Sequence, residues 1–319
     1  MKQAIGKRYG NHSRLNIIDS PIPKPVGDEV LVKIHASSIN SADVEILKGI
    51  FFIRMGSPFK PMYRVLGSDI SGIVEAVGPL STKFKIGSKV YADLTEWKFG
   101  CFSEYKVVSE KSLRPIPENM SYVDAASIPS AAIIAYQGLV KFELSSEHKV
   151  LINGAGGGMG TYAIQIAKSF GAEITAVDNK HKQSIMRNLG ADYVYDYKEV
   201  DFSQDGKQYD LILDCKGQRA IKKIKNSLSD YGHYVLIGGT TRSIIATLIA
   251  SRKNKKSKQN ISILYAKYND QNYLEQVQRL YKEKKLTPII DSIYDLTEIK
   301  EAWKRFESGE FIGKIVIKP

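Results

Sequence analysis

The chain has 319 residues, 43% hydrophobic and 25% charged, a balance that excludes long-range disorder and suggests two domains or one large one. A net charge of +12 would suit nucleic acid or an anionic ligand. The densest basic run, SRKNKKSK from Ser251 to Lys258, lacks the interleaved aromatics of an RNA-binding surface and reads as a solvated loop.

The N-terminal MKQAIGKRYGNHSR has no apolar core of a signal peptide, and no apolar run reaches the length of a membrane span. A cytoplasmic protein without a membrane span is therefore expected. Pro21, Pro23 and Pro25 mark an irregular loop. Short strands are expected within Asp28 to Ile39, Val65 to Gly78, Lys83 to Asp93 and Gly100 to Glu110, punctuated by Gly and Ser. Their spacing suggests a small barrel-like domain. From about Met120 the pattern changes to a helix with Pro129 near a turn. Repeated strand–helix units follow, which imply a parallel sheet with its ligands at the carboxyl edge. HKQSIMRNLG reads as a helix ended by Gly190, Tyr209 to Gly217 and Tyr231 to Gly239 as buried strands, and Asn272 to Leu286 as a long helix. FIGKIVIKP is a last strand. No solenoid repeat is present.

The segment Lys149 to Asp178 carries the strongest chemical signal. VLIN is a strand of the doubly buried kind. The turn after it fits A-x-G-x-x-G with Ala155, Gly157 and Gly160. Such glycines allow a tight turn, close approach of a pyrophosphate and close packing of helix on strand. The next helix would aim free N–H groups at that pyrophosphate. The second strand ends at Asp178, an acid placed for the adenosine ribose hydroxyls. Together these predict a dinucleotide site.

Several ordered motifs resemble the medium-chain dehydrogenase/reductase superfamily over nearly the whole chain. They are NSAD (Asn40 to Asp43), GSDISGIVEAVG (Gly67 to Gly78), IGSKVYA (Ile86 to Ala92), INGAGGGMGTYAIQIAK, LGADYVYDY, YDLILDCKG, LIGG and GKIVI. The resemblance implies an α/β fold: a GroES-like β-barrel catalytic domain (1–120 and 287–319) and a Rossmann doubly wound parallel-sheet domain (121–286). Zinc members carry cysteine where this chain has Asn40, and His and Glu where it has Ser68 and Asp69. Zinc prefers thiolate and imidazole donors, so Asn40 and Ser68 are poor substitutes. Two cysteines, Cys101 and Cys215, cannot supply the four-cysteine structural zinc lobe, and the five histidines form no ligand-spaced pair. The chain is therefore similar to the zinc-independent quinone-oxidoreductase-like branch, with no metal site expected.

That branch implies hydride transfer from a reduced nicotinamide to a quinone or related conjugated carbonyl. A phenol-like product oxygen has a pKa of about 10, so its protonation makes modest demands. The resemblance places Asn40 beside the nicotinamide, as a donor to developing oxygen charge, and offers Tyr63 as a proton donor. Asp43 reads as a helix-start acceptor. Cofactor contacts are expected from Ala155, Gly157, Gly158, Met159 and Gly160 at the pyrophosphate, Asp178 and Lys182 at the ribose, Tyr197 near the adenosine, Gly238 and Gly239 beside the nicotinamide, and Lys314. Ile134 stands where the motif often has threonine. Asp178 favours NADH, whereas Lys180, His181, Lys182 and Arg187 favour NADPH, so the choice stays open. A small-molecule partner and a homodimer or higher homo-oligomer are expected, with nucleic acid not among the expected partners. Alternative readings are a metal-independent alcohol or enone dehydrogenase-reductase and a non-enzymatic nucleotide-sensing or RNA-binding protein of the same fold.

Overall fold

The structure, a computed structural model, describes residues 1–253 and 257–319. It divides into two compact units: unit 1 comprises Met1–Ala131, Tyr268–Leu274 and Ile290–Pro319, and unit 2 comprises Ala132–Lys267 and Glu275–Ile289.

In unit 1, β1 (Lys2–Gly6) and β2 (Leu15–Asp19) form an antiparallel pair. The long β3 (Glu29–Ser38) carries EVLVKIHASS, whose β-branched residues suit a pleated, largely buried surface. It is followed by α1 (Ser41–Lys48) and the short α2 (Phe51–Gly56). Helix α1 begins where the Asn40 backbone N–H donates to Asp43 Oδ2 at 2.8 Å, and it stops at Gly49, whose φ of 65° suits a glycine cap. Strands β4 (Asp69–Val77), β5 (Lys89–Asp93), β6 (Tyr105–Ser109) and β7 (Arg114–Pro115) follow, then α3 (Tyr122–Ser127). The expected single helix after Met120 is two, because Pro129 opens a second helix, α4 (Pro129–Val140); proline fits the first turn, where its missing N–H is not needed.

Unit 2 then alternates strand and helix: β8 (Lys149–Asn153), α5 (Gly158–Ser169), β9 (Glu173–Asp178), α6 (Gln183–Asn188), β10 (Tyr193–Asp196), β11 (Tyr209–Asp214), α7 (Ile221–Asn226), β12 (Leu228–Leu236), α8 (Thr241–Lys253) and β13 (Asn260–Ile263). The sheet order is β10-β9-β8-β11-β12-β13, with every pairing parallel. This is a doubly wound order that reverses at β8, and the glycine turn sits at that reversal. The chain continues through α9 (Gln271–Lys282) and finishes in unit 1 with β14 (Ile290–Asp295), α10 (Ile299–Ser308) and β15 (Lys314–Lys318). Strand β15 pairs antiparallel with β3, giving the order β14-β15-β3-β4-β5-β7 with β6 also on β3.

Each unit has its own apolar core. In unit 1, Trp303 of α10 is fully buried among Leu47, Leu66, Phe102 and Ile317, with Phe102 edge-on at 6.1 Å. In unit 2, Leu151, Ile212, Tyr234 and Leu236 pack with Phe202 and Ile224. Burying each large apolar side chain contributes roughly 1.5–3 kcal/mol before chain entropy is set against it.

Some expectations need adjustment. The first boundary falls at Ala131 rather than 120, because α3 packs on β3 and β4. The return falls at Ile290 rather than 287, where β14 begins. The run read as a loop from Ser251 starts inside a helix, because Ser251, Arg252 and Lys253 complete α8. Residues 254–256 of that run lie outside the described residues. The histidines have local roles: His12 meets Glu307 at 2.9 Å, His35 stacks on Tyr122, His148 bonds Ser145, and His233 packs on Phe142.

Candidate functional site

In unit 2 the site is the carboxyl edge of the parallel sheet. Gly154 leaves β8 with φ 90°, a left-handed conformation that glycine adopts freely. Gly157 caps α5, and Gly157, Gly158 and Met159 form the half-exposed rim of the turn, whereas Ala155 and Gly160 are buried beneath it. A Cβ at Gly160 would collide with the Gly154 carbonyl oxygen and the Ala155 backbone, so only glycine lets helix and strand meet here. The N-terminal N–H groups of α5 and its dipole favour an anion at this rim.

Asp178, at the end of β9, is only 5% exposed. Its Oδ2 accepts from the Gly156 N–H at 2.9 Å and its Oδ1 from the Asn179 N–H at 2.8 Å. Lys182 is buried too, with its Nζ 3.4 Å from Asp178 Oδ1. Its stem fills the space above Gly156, where a Cβ would lie 2.5 Å from Lys182 Cδ. The sequence placed Lys182 at the ribose with Asp178; in the structure its ammonium lies against the Asp178 carboxylate. Tyr197 directly follows β10, is 44% exposed, and donates its backbone N–H to Asp178 O at 3.2 Å.

The next strand end is organised by Asp214, whose importance the sequence did not reveal. Its Oδ1 accepts from Asn153 Nδ2 at 2.8 Å and from the Lys216 and Gly217 N–H groups at 2.8 and 2.9 Å, and its Oδ2 from the Tyr234 hydroxyl at 3.0 Å. One buried carboxylate thus ties β8, β11 and β12 together. A buried Asn and Asp at facing strand ends is the pattern that could have pointed to it. Burial, with Asp214 beside it, pushes the Cys215 thiol up and keeps it protonated. Gly238 and Gly239 follow β12 on the same edge, and a Cβ on Gly239 would crowd Ser243 Oγ at 2.6 Å.

In unit 1 a polar cluster forms around Asn40. Its Nδ2 donates to Ser68 Oγ at 3.1 Å and to Asp69 Oδ2 at 2.9 Å. Lys314 Nζ donates to Asn40 Oδ1 at 2.6 Å and lies 3.4 Å from Asp69 Oδ2. Asp69 also accepts from Ser38 Oγ at 2.7 Å and from the Ser130 N–H at 3.0 Å. Asp43 spans the cluster's base, accepting from the Asn40 and Gly67 N–H groups, both at 2.8 Å. This fits its expected place at the start of α1. Burial pushes the Asp43 carboxyl up to about 7; it does the same to Asp93, aided by the charge of Asp69. Asn40 is half-buried, whereas Ser38, Asp43, Ser68, Asp69, Asp93 and Lys314 are buried.

The two remaining expected residues, Lys314 and Tyr63, both lie in unit 1. The ammonium of Lys314 lies within unit 1 and is engaged by Asn40 and Asp69. Tyr63 stacks on Phe99 with centroids 5.1 Å apart and lines a cavity whose walls include Arg64, Lys98 and Lys106.

The cluster is a poor zinc site. Its donors at the three relevant positions are an amide, a hydroxyl and one carboxylate, and an ammonium already sits against two of them. Among the described residues, no group of three or more His, Cys, Asp or Glu is arranged to hold a metal ion. No described helix is long and apolar enough to cross a membrane.

Comparison with known proteins agrees with this architecture. A family described as alcohol dehydrogenase GroES-like domain matches residues 27–118, and one described as zinc-binding dehydrogenase matches residues 189–317. A chloroplastic quinone-oxidoreductase homolog of Spinacia oleracea is 33% identical, covering 97% of this chain and 95% of its own. A 2-methylene-furan-3-one reductase of Solanum lycopersicum is 31% identical, covering 93% and 74%. The solved quinone oxidoreductase of Coxiella burnetii superposes with a TM-score of 0.90 at 28% identity, covering 100% of this chain and 99% of that one. With a glycine turn at the sheet reversal, a GroES-like family match ahead of it in sequence and quinone-oxidoreductase relatives matched over nearly their full length, the chain belongs to the medium-chain dehydrogenase/reductase superfamily, in its quinone-oxidoreductase-like group.

Proposed function

We propose that the protein reduces quinones or related conjugated carbonyls with NADH or NADPH, by hydride transfer and without zinc. The observation that carries the reading is the pairing of an intact dinucleotide turn in unit 2 with a metal-unfriendly amide–lysine–carboxylate cluster in unit 1. When bound, the reduced nicotinamide supplies the hydride. The rim glycines and the α5 N-terminus hold the pyrophosphate, and Gly238 and Gly239 leave room beside the sheet edge. Asn40 is the half-buried member of its cluster, and its amide serves the acceptor oxygen as negative charge develops there. Both Nδ2 hydrogens point at Ser68 and Asp69, so the oxygen takes the place of the weaker partner, Ser68 Oγ at 3.1 Å. Lys314 holds Oδ1 and thereby fixes which end of the amide carries the donor hydrogens towards Ser68 and Asp69. A conjugated acceptor needs no Lewis acid, because its negative charge is delocalised, whereas alkoxide formation from an alcohol does.

Both nucleotides are accepted on this reading. Lys182 offsets the charge of Asp178, which lowers repulsion towards a 2′-phosphate, and the buried acid at the end of β9 is retained for the ribose hydroxyls.

The test is steady-state oxidation of NADH and NADPH with a quinone panel and an enone, in wild type and Asn40→Ala. Wild-type turnover with at least one acceptor is expected, and N40A should lose about 100-fold in kcat, the lower end for removing one oxyanion donor, with nucleotide affinity unchanged. Absence of turnover with every acceptor would refute the reading.

A further inference from the structure

We propose that unit 1 carries a second anion site, a cavity built on Arg64, Lys98 and Lys106 that binds a phosphate monoester. The cavity measures about 430 Å³, a size suited to a small organic molecule. Three cationic side chains line it and no carboxylate side chain does. None of the three has a salt-bridge partner among the described residues. Like charges gathered with no ion pair among them repel one another, and an anion relieves that repulsion. A phosphate dianion can satisfy an arginine fork and two ammonium groups together, which a monocarboxylate does less well.

The backbone is shaped to present these groups. Lys98, Phe99 and Gly100 have φ of 68°, 57° and 99°, three successive left-handed residues. Phe99 is the anchor, 4% exposed and packed on Tyr63, so the exposed Lys98 beside it stands at the cavity wall. Gly100 clears space for Lys106: a Cβ there would lie 2.8 Å from its Nζ. Tyr63, Tyr105 and Met62 give the same cavity an aromatic and apolar wall for the organic part of an ester.

Lys106 makes the site pH-sensitive. Burial lowers its pKa and Lys98 adds to that, while Cys101 and Glu29 act the other way. A bound dianion favours the protonated amine, so affinity falls as pH rises through the depressed pKa of the free protein. The phosphate could belong to a soluble ester or to a lipid headgroup.

The experiment uses the full chain saturated with NADPH, so that the nucleotide site is filled. Isothermal titration with inorganic phosphate and phenyl phosphate is paired with sedimentation on phosphatidylcholine vesicles with or without phosphatidic acid. Saturable binding is expected, weakened at least tenfold in Lys106→Met, which keeps the buried stem, with quinone turnover unchanged. Should K106M fold poorly, Lys98→Ala on the exposed loop serves instead, with a several-fold loss expected. Binding of phenyl phosphate assigns the site to soluble esters, and selective sedimentation with phosphatidic acid assigns it to a headgroup. Absence of both, or equal binding by wild type and the variants, overturns the proposal.

Discussion

Lys314 Nζ donates to Asn40 Oδ1 at 2.6 Å although the two residues stand 274 positions apart. The contact brings an ammonium from β15, at the chain's end, onto the start of α1, and it completes a cluster in which Asp69 is the buried anion. A buried ion pair adds little net stability when whole, yet leaves a costly uncompensated charge when one partner is removed.

Lys314→Met should therefore destabilise unit 1 by about 3–5 kcal/mol. Lys314→Met/Asp69→Asn should recover part of that loss, because no buried charge is then stranded. Urea unfolding of both variants measures it; a double variant no more stable than the single one would show that packing, not charge, is at issue.

Asp93→Asn should change how stability depends on pH. Burial lifts the Asp93 carboxyl to about 7, with Asp69 the second cause. An unfolded aspartate titrates near about 3.9. The raised folded value means that the native state holds the extra proton between these limits. Stability from this group is fully present below pH about 4 and is lost as pH rises towards 7, at up to about 1.4 kcal/mol per pH unit. Because Asp93 Oδ2 is buried without a partner, an amide fits with little conflict. The difference in unfolding free energy between wild type and D93N should grow in favour of the variant from pH 4.5 to 7.5, and a constant difference would contradict the assignment.

Gly160→Ala should weaken nucleotide binding at least tenfold, about 1.4 kcal/mol, because the new methyl meets the Gly154 carbonyl and the Ala155 backbone. Fluorescence titration with NADPH reads this directly. An unaltered Kd would mean that the turn does not hold the pyrophosphate.

Lys182→Met and Asp178→Asn should move cofactor preference in opposite directions. Removing Lys182 leaves the Asp178 carboxylate uncompensated, which disfavours a 2′-phosphate, so the kcat/KM ratio should shift towards NADH by about tenfold. D178N should shift it towards NADPH. Shifts of the same sign would show that the pair does not govern selectivity.

The sequence by itself determined the architecture and the glycine turn. Strand, glycine turn, helix and terminal acid are contiguous from Lys149 to Asp178, so their backbone demands are local and can be read in order. Gly160 is the clearest case, because its need comes from a collision with residues five and six positions away. Short alternating strands were legible for the same reason. Tertiary structure alone decided which polar groups meet. Lys314 and Asn40, Asp214 and Tyr234, and the cations Arg64, Lys98 and Lys106 come together through strand pairing and loop conformation, on which local sequence is silent. It also decided that Lys182 is spent on Asp178: a lysine four residues past a strand end can point either way, and the space left by Gly156 draws its stem inward.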